Sequence, residues 1–296
     1  MTLLEQANTL AQTGQLRAAC ALYEQYLASE PNNPAAWNNY GHVLDDLGNK
    51  IAALICFDRA IAILPNYAQA LCNKGVVLID LRRYADALIY FDQSLSIDAS
   101  FAMAHTNRGN ALRALGRFQE AIDSHACATA IDPTFANAHW NQSLCQLLMG
   151  DYERGWHQYE WRWKAPGPSG QVQATPMPTW LGKESIAGKK IVIWPEGGDG
   201  DVFQFVRFVR NLKAQAAEVF LVTRSSMLSL FACSYPDIKL LPLEDGVELP
   251  DFDYQSSLMS MPLALQIDHE AKVPNQVPYL AANPDLINLW AARKAK

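Results

Sequence analysis

The segment AAWNNYGHVLDDLG at residues 35–48 returns in altered form as MAHTNRGNALRALG at residues 103–116, two periods of 34 residues further along the chain. The same period aligns small residues, with glycine at 14, 48, 116 and 150 (Arg82 is the exception) and alanine at 19, 53, 87 and 121. It also aligns a ring series, which consists of Tyr23, Phe57, Phe91 and Tyr159 and is interrupted by His125. A period of this length indicates stacked copies of one supersecondary unit.

Proline follows the same register at positions 31, 65 and 133, where it would end the second helix of each unit. Small residues at a helix contact, an aromatic plug and a terminal proline are together typical of tetratricopeptide (TPR) repeats. The pattern predicts an α-solenoid over residues 1–165 whose repeats pair a helix A with a helix B. The predicted repeats are 1–33, 34–67, 68–101 and 102–135, followed by a degenerate capping repeat at 136–165.

One polar series within the A helices has no packing explanation: Asn39, Asn73, Asn107 and Asn141 recur at the same phase. Asparagine is a mediocre helix former and has no intrinsic reason to recur inside a helix. A side-chain amide carries both a donor and an acceptor, so a row of them on the concave face could bind a polypeptide backbone of any sequence. The alternative interpretation is that each amide bonds the neighbouring repeat and only holds the solenoid together.

Segments 35–48 and 103–116 resemble the TPR units of O-GlcNAc transferases, a family in which an asparagine ladder holds extended polypeptide acceptors. The resemblance implies a polypeptide partner for this chain. The carboxylate-clamp TPRs of chaperone adaptors match less well, because only Lys74 and Arg108 suggest the basic residues that such clamps require. His105 and His139 share the repeat position of Trp37 and are interpreted as packing residues.

The last repeat ends in DYERGWHQYEWRWK, residues 151–164, in which one helix face carries Tyr152, Trp156, Tyr159 and Trp163. Aromatic rows can stack on sugars, but the final helix of a solenoid also has to be covered. We therefore expect this row to dock against the following domain. Residues 166–180 are rich in proline, glycine and serine and predict a linker.

From residue 181 the pattern changes to short apolar runs separated by helical stretches. The predicted strands are Lys190–Trp194, Val219–Thr223, Ile238–Leu241 and Phe252–Ser256, with helices near 201–213 and 225–233. This order predicts an α/β, Rossmann-like half-domain over 181–296. Such domains bind ligands at the carboxyl ends of their strands.

The loop EGGDGD, residues 196–201, follows the first predicted strand but does not fit a dinucleotide cradle. Phe203 stands where the third glycine of that fingerprint belongs, and three acids would repel a pyrophosphate. Asp201 is interpreted either as the N-cap of the following helix or as a functional carboxylate at the carboxyl end of the strand. Gln204 and Arg207 follow at helical spacing on roughly the same side.

PTWLG (178–182), GKKIVIWPEGGDGDVFQFVR (188–207) and VPYL (277–280) resemble bacterial TPR proteins that carry a heptosyltransferase-like domain of glycosyltransferase family nine. The resemblance implies the acceptor-side, N-terminal half of a GT-B fold, with Asp201 as the candidate general base. Gly197 and Asp199 depart from the glutamine and leucine of the family motif. The implied acceptor loop comprises Glu196, Gly198, Gly200, Gln204 and Arg207.

Two hypotheses follow for function. In one, the chain is part of a glycosyltransferase that uses a nucleotide sugar to modify a protein or a glycan. In the other, which we favour, it is a TPR adaptor that binds a polypeptide and is not catalytically competent alone. The family's nucleotide-binding half is expected beyond residue 296, so this chain is expected to hold no cofactor.

Composition restricts the remaining classes. The 296 residues carry a formal net charge of -6, without the basic excess that a nucleic-acid partner demands. We find no signal peptide and no apolar run of membrane-spanning length. Six scattered cysteines without metal-ligand spacing predict reduced thiols, no metal site and a cytoplasmic location. A solenoid end or the aromatic cap could also support a homodimer.

Overall fold

The computed structural model describes residues 1–165, 176–216, 218–244 and 249–294. It divides into two compact units, Met1–Cys145 and Gln146–Lys296. Residues 166–175, most of the predicted linker, lie outside the described residues. Within the described ranges, no helix is long and apolar enough to cross a membrane.

The N-terminal unit is a solenoid of paired helices, as the 34-residue period predicts. Its A helices are α1 (Leu3–Gln12), α3 (Pro34–Asp46), α5 (Ala68–Asp80) and α7 (Ala102–Ala114), and its B helices are α2 (Leu16–Ser29), α4 (Lys50–Ile63), α6 (Tyr84–Ile97) and α8 (Phe118–Ile131). The next A helix, α9 (Ala136–Leu148), begins in this unit. Each A helix contacts the A helix of the next repeat, so α1, α3, α5 and α7 lie side by side.

The turn between helix A and helix B depends on a left-handed residue. Gly48 has a φ of 80° there, and Arg82 takes the same place with a φ of 59°. A residue with a Cβ incurs a steric penalty in this conformation, which explains why the position is otherwise glycine. Arg82, the exception in the sequence pattern, therefore has the same left-handed backbone conformation as the glycines.

A second glycine position sets how closely the two helices of a repeat approach. A Cβ built on Gly41 would lie 2.8 Å from the Phe57 ring, and one built on Gly75 would lie 2.6 Å from the Phe91 ring. Both rings are almost completely buried. The ring of helix B thus fills the space that glycine leaves in helix A, and any larger residue would push the helices apart.

Polar contacts between successive repeats follow the same period. The Tyr40 hydroxyl donates to Glu24 at 2.7 Å, and the Arg108 Nε donates to Asp92 at 2.7 Å. Lys74 forms an ion pair with Asp58 at the equivalent place. Lys74 and Arg108, the residues that suggested a carboxylate clamp, are therefore both paired with acids of the preceding B helix.

The C-terminal unit contains a small parallel sheet whose strand order is β3–β2–β1–β4. β1 has the predicted bounds, and each of the other strands begins and ends within two residues of its predicted bounds. The strands are β1 (Lys190–Trp194), β2 (Glu218–Thr223), β3 (Lys239–Pro242) and β4 (Tyr254–Ser257). The helices are α10 (Tyr152–Tyr159) with a 3₁₀ turn at Glu160–Trp163, α11 (Asp199–Phe205), α12 (Val209–Lys213), α13 (Leu228–Ser234), α14 (Met261–Ala264) and α15 (Pro284–Lys294).

Alternating residues of β1 face two apolar clusters. Ile191 and Ile193 belong to the larger cluster, which includes the buried side chains of α11 and α12, whereas Val192 and Trp194 belong to the smaller one. Trp156 of α10 packs edge-on against Phe205, with 6.1 Å between ring centroids. Trp156 of the predicted aromatic row therefore docks on this α/β core.

His125, which interrupts the ring series, is the weak point of the solenoid core. It is completely buried against Gly109, and neither ring nitrogen has a hydrogen-bond partner among the described residues. Burial, and secondarily the charge of Arg113, lowers the pKa of His125 to about 3. The unfolded chain binds this proton near pH 6.5 and the folded chain does not, so stability falls as the pH drops from about 6.5 towards 3.

We predict that His125→Phe stabilises the solenoid and removes part of its acid sensitivity. Phenylalanine already fills the equivalent site beside Gly41 and Gly75, and the substitution removes two unpaired buried nitrogens. The variant should lose about 1.4 kcal/mol less per pH unit than the wild type below about pH 6. Urea titrations from pH 7 to 4 measure this difference. An unchanged slope, or a loss of stability at pH 7, would contradict the role assigned to His125.

Candidate functional site

The adjoining A helices form a groove of about 340 Å³ at the start of the solenoid. Half of its ten lining residues carry side-chain amides, and residues from α1, α3 and α5 all contribute. We call this surface the A-helix groove. Its polar members are Asn8, Gln12, Tyr23, Asn38, Asn39, His42, Asp46 and Gln69.

Three members of the asparagine series donate to the preceding repeat. The Nδ2 of Asn39 donates to Asn8 at 3.2 Å, and the Nδ2 of Asn73 donates to Asn38 at 3.0 Å. Asn107 makes a longer contact of 3.9 Å with the Cys72 sulfur. These contacts hold neighbouring repeats together. All three residues are half-buried, so they also border solvent.

Asn141 differs from the rest of the series. It is half-buried like the others, but its side chain makes no hydrogen bond with any described residue. The interpretation that each amide bonds the neighbouring repeat thus applies to three of the four predicted residues. Asn141 is the member whose amide has no hydrogen bond to a described residue.

Asp46 is the carboxylate among the residues that line the groove, and charged side chains elsewhere in the second and third repeats pair with one another. Asp46 contacts His42 at 3.1 Å, and Lys50 bridges Asp45, at 2.7 Å, and Asp80. Partial burial lowers the pKa of Lys50, but hydrogen bonds to both carboxylates raise it overall. Hydrogen-bonding amides rather than free charges therefore dominate the A-helix groove.

In the C-terminal unit, Asp201 lies in the first turn of α11, just beyond the end of β1. Its Oδ2 accepts a hydrogen bond from the backbone N–H of Gly198 at 2.8 Å. Gly197 has a φ of 73°, and any side chain there would collide with this carboxylate. Gly198 is therefore the N-cap, and Asp201, which the sequence predicts as the N-cap, is instead the N3 residue whose carboxylate closes the helix terminus.

Apart from Gly198, no residue of the predicted acceptor loop makes a described hydrogen bond with Asp201. Gly200 and Gln204 are exposed. The Arg207 Nε donates to the Gln204 carbonyl at 2.8 Å, and its guanidinium stacks 4.3 Å from the Tyr279 ring centroid. Asp199 instead forms an ion pair with Arg224, a residue that the sequence patterns do not single out.

Glu196 takes part in a buried ion pair that sequence reasoning misses. The guanidinium of Arg162 donates to both carboxylate oxygens, from Nε at 2.6 Å and from Nη2 at 2.9 Å. The Arg162 side chain is 0% exposed and that of Glu196 is 8% exposed. Ser257, the last residue of β4, also donates to Glu196. Both oxygens of the Glu196 carboxylate therefore accept hydrogen bonds from other residues of the protein.

Arg162 also makes hydrogen bonds to two other side chains and stacks against two aromatic rings. It donates to Ser260 at 2.7 Å and to Glu160 at 2.7 Å. The rings of Tyr159 and Trp163 lie 4.4 Å from the guanidinium carbon. Burial lowers its pKa, but hydrogen bonding to Glu196 and the charge of Glu160 raise it overall. An arginine between two tryptophans, in the segment EWRW, is the signal that the sequence offers for this residue.

This ion pair occupies the place where open α/β sheets bind ligands. From β1 the chain adds β2 and β3 on one side and β4 on the other, so the strand order reverses between β1 and β4. Such a reversal opens a crevice at the carboxyl ends of the two strands. Here Glu196 follows β1, Ser257 ends β4, and the guanidinium of Arg162 binds Glu196 between them.

Comparison with known proteins concerns the first half of the chain. Residues 3–139 match the family described as the cilia and flagella-associated protein 70 middle TPR-like domain. The crystal structure of PilW, a widely conserved type IV pilus biogenesis factor, is 25% identical, with 56% of this chain and 78% of PilW covered and a TM-score of 0.51. The N-terminal unit has the TPR fold.

Other solved TPR structures share this likeness. YrrB, a TPR protein with an unusual peptide-binding site, is 22% identical, with 55% of this chain and 84% of YrrB covered and a TM-score of 0.46. TTC0263, a thermophilic TPR protein of Thermus thermophilus, is 22% identical, with 55% of this chain and 90% of TTC0263 covered and a TM-score of 0.49. No curated protein matches the chain.

We predict that Arg162→Met destabilises the C-terminal unit by about 3–5 kcal/mol, because it leaves the buried carboxylate of Glu196 without its counter-charge. Arg162→Met combined with Glu196→Gln should recover part of this loss. Arg154→Met is the matched control, since Arg154 forms an exposed pair with Asp151 and such pairs add little to stability. Urea unfolding followed by tryptophan fluorescence measures all three. Equal stability of the two single variants would show that the buried pair has no structural role.

Proposed function

We propose that the TPR solenoid binds an extended polypeptide along the A-helix groove, and that this chain acts as an adaptor. The observation that carries the proposal is the amide lining of the groove. An amide can donate to a peptide carbonyl and accept from a peptide N–H, so a row of amides can pair with a backbone whatever its side chains are.

The paired charges support the same interpretation. A groove with many free charges would select partners by their net charge, but the carboxylate that lines this groove, that of Asp46, contacts His42. The other polar groups of the groove are amides, a hydroxyl and an imidazole, which offer hydrogen bonds rather than a fixed charge. Gln12 and Gln69 are exposed there and make no side-chain hydrogen bond to a described residue.

The C-terminal unit supports an adaptor rather than a transferase in this proposal. The crevice at the ends of β1 and β4 holds the guanidinium of Arg162. A ligand at that crevice would have to displace a buried arginine together with its partners. Removal of one partner from such a buried pair costs about 3–5 kcal/mol.

The test uses the full chain and short random peptides selected against it by phage display. We predict that Gln12→Ala with Gln69→Ala weakens the selected peptides about ten-fold, since two neutral hydrogen bonds contribute roughly 0.5–1.5 kcal/mol each. Replacing backbone amides of the peptide by N-methyl amides should weaken binding similarly, because an N-methyl amide cannot donate. Fluorescence anisotropy gives the dissociation constants.

The matched control is Gln25→Ala with Gln93→Ala, which removes two exposed glutamines from the B helices α2 and α6. This control should bind the peptides like the wild type. Asn73→Ala is a less clean probe, because it leaves the buried carbonyl of Asn38 unpaired and costs stability. If the groove variant and the control bind the peptides equally well, the peptide-binding proposal is wrong.

A second candidate is sugar transfer, with Asp201 as the base that deprotonates an acceptor hydroxyl. The observation that favours it is the half-buried carboxylate of Asp201 at the carboxyl end of a central strand. The capping bond to Gly198 and the absence of Gln204 and Arg207 from the described contacts of this carboxylate weigh against it.

We predict that Asp201→Asn lowers the free energy of unfolding by about 0.5–1 kcal/mol, as expected for the loss of a charged helix cap. We further expect no heat when UDP- or GDP-sugars are titrated into the wild-type chain in a calorimeter. Heat from the wild type, together with sugar transfer that Asp201→Asn abolishes, would favour the second candidate over the adaptor.

A further inference from the structure

Helix α15 (Pro284–Lys294) has apolar side chains that the rest of the described chain leaves exposed. The exposed fraction is 47% for Leu286, 54% for Ile287 and 60% for Trp290. Trp290 is also the one aromatic residue that is exposed in the described ranges. A helix of eleven residues is marginal in water unless an apolar face packs against something. The exposed face of α15 therefore indicates a docking surface.

These apolar side chains lie together along a groove of about 520 Å³, to which α13 contributes Ser229 and Leu230. The positions at the groove recur three or four residues apart, so they occupy one side of the helix. We call this side the α15 face. Its members are Asn283, Leu286, Ile287, Trp290, Ala291 and Lys294.

The α15 face is complementary to a reversed copy of itself. Turning the helix end for end about the point between residues 288 and 289 exchanges Leu286 with Ala291 and Ile287 with Trp290. An antiparallel second copy thus places a large side chain opposite a small one in the outer pair and joins two large ones in the inner pair. A two-fold dimer requires this kind of symmetry, because each subunit offers the same patch to the other.

The charges of α15 also fit an antiparallel copy. Asp285 lies in the first turn of the helix, and Arg293 and Lys294 lie in the last. None of the three forms an ion pair with another described residue. Antiparallel packing brings the acidic end of each helix beside the basic end of the other, and it also aligns the two helix dipoles favourably. Parallel packing would bring like charges together.

We infer that two copies of this chain associate through an antiparallel contact of their α15 faces. This surface is neither the solenoid end nor the aromatic cap that the sequence suggests for a homodimer. The contact is independent of the proposed function, because α15 belongs to the C-terminal unit and not to the solenoid. A helix of eleven residues is only about 16 Å long, so the interface is small and we expect the dimer to dissociate at micromolar concentration.

Sedimentation velocity of the full chain, from micromolar to millimolar concentration, tests the association. We expect monomers at the low end of this range and dimers at the high end. Ile287→Glu should weaken the dimer about a hundred-fold, because each dimer then loses two packed isoleucines and buries two carboxylates instead. The matched control is Ile89→Glu, which replaces an isoleucine of α6 that is 55% exposed and should dimerise like the wild type. Far-ultraviolet circular dichroism checks that each variant keeps its helices.

A mixture of two variants tests the antiparallel register. Trp290→Lys should weaken the dimer as Ile287→Glu does, because it also removes an apolar side chain from the inner pair. When the two variant chains are mixed, the introduced glutamate of one faces the introduced lysine of the other, and the second contact of Ile287 with Trp290 is kept. We expect the mixed dimer to be about ten-fold tighter than the dimer of either variant alone.

A wild-type chain that stays monomeric throughout the range overturns the α15 dimer and leaves the α15 face to a different protein. Equal dimerisation of Ile287→Glu and Ile89→Glu overturns it as well, since the chain would then associate through another surface. A mixture that is no tighter than the separate variants contradicts the antiparallel register and with it the contact inferred here. None of these outcomes affects peptide binding at the A-helix groove, which is measured with the Gln12→Ala and Gln69→Ala variant.

Discussion

The close approach of helix A and helix B within each repeat is the constraint on which the solenoid depends. Gly41 and Gly75 leave room for the rings of Phe57 and Phe91, and this contact fixes the distance between the two helices. Because each repeat then has nearly the same shape, successive A helices stack side by side, and the first three of them border the A-helix groove. The groove, its amides and its lateral hydrogen bonds all follow from that repeated contact.

The helix pairs could be predicted from the sequence because their determinants lie within one repeat and recur every 34 residues. The partners of the asparagines could not, since Asn39 and Asn73 bond residues 31 and 35 positions earlier, across a junction whose geometry no single repeat contains. The pairing of Arg108 with Asp92 also joins two repeats, but it could have been predicted. Its sixteen-residue spacing also recurs in register for Lys74 and Asp58, so the signal was present in the sequence.

In the C-terminal unit the strands could be predicted from the sequence pattern. The ion pairs of the acids in the loop after β1 could not. Sequence reasoning treats Glu196 and Asp199 as free negative charges that exclude phosphate. Each is in fact neutralised by an arginine, Arg162 for the first and Arg224 for the second. Both arginines lie in other segments of the chain, and only the folded chain brings them to these acids.

A polar group that is already bonded within the protein has to give up that bond before it can bind a ligand, whereas an unbonded group does not. Both kinds of group occur in this chain. Glu196 and Arg162 satisfy each other in the crevice of the sheet, so a ligand there would meet a closed ion pair. Neither the Nε of Arg113 nor the buried oxygen of Asn110 has such a partner among the described residues. Buried groups without a partner occur in the C-terminal unit as well, since the Trp156 Nε1 and the Tyr235 hydroxyl are unpaired among the described residues. Gln12 and Gln69 of the A-helix groove are exposed and make no side-chain hydrogen bond to a described residue, so a ligand meets them without breaking a bond of the protein.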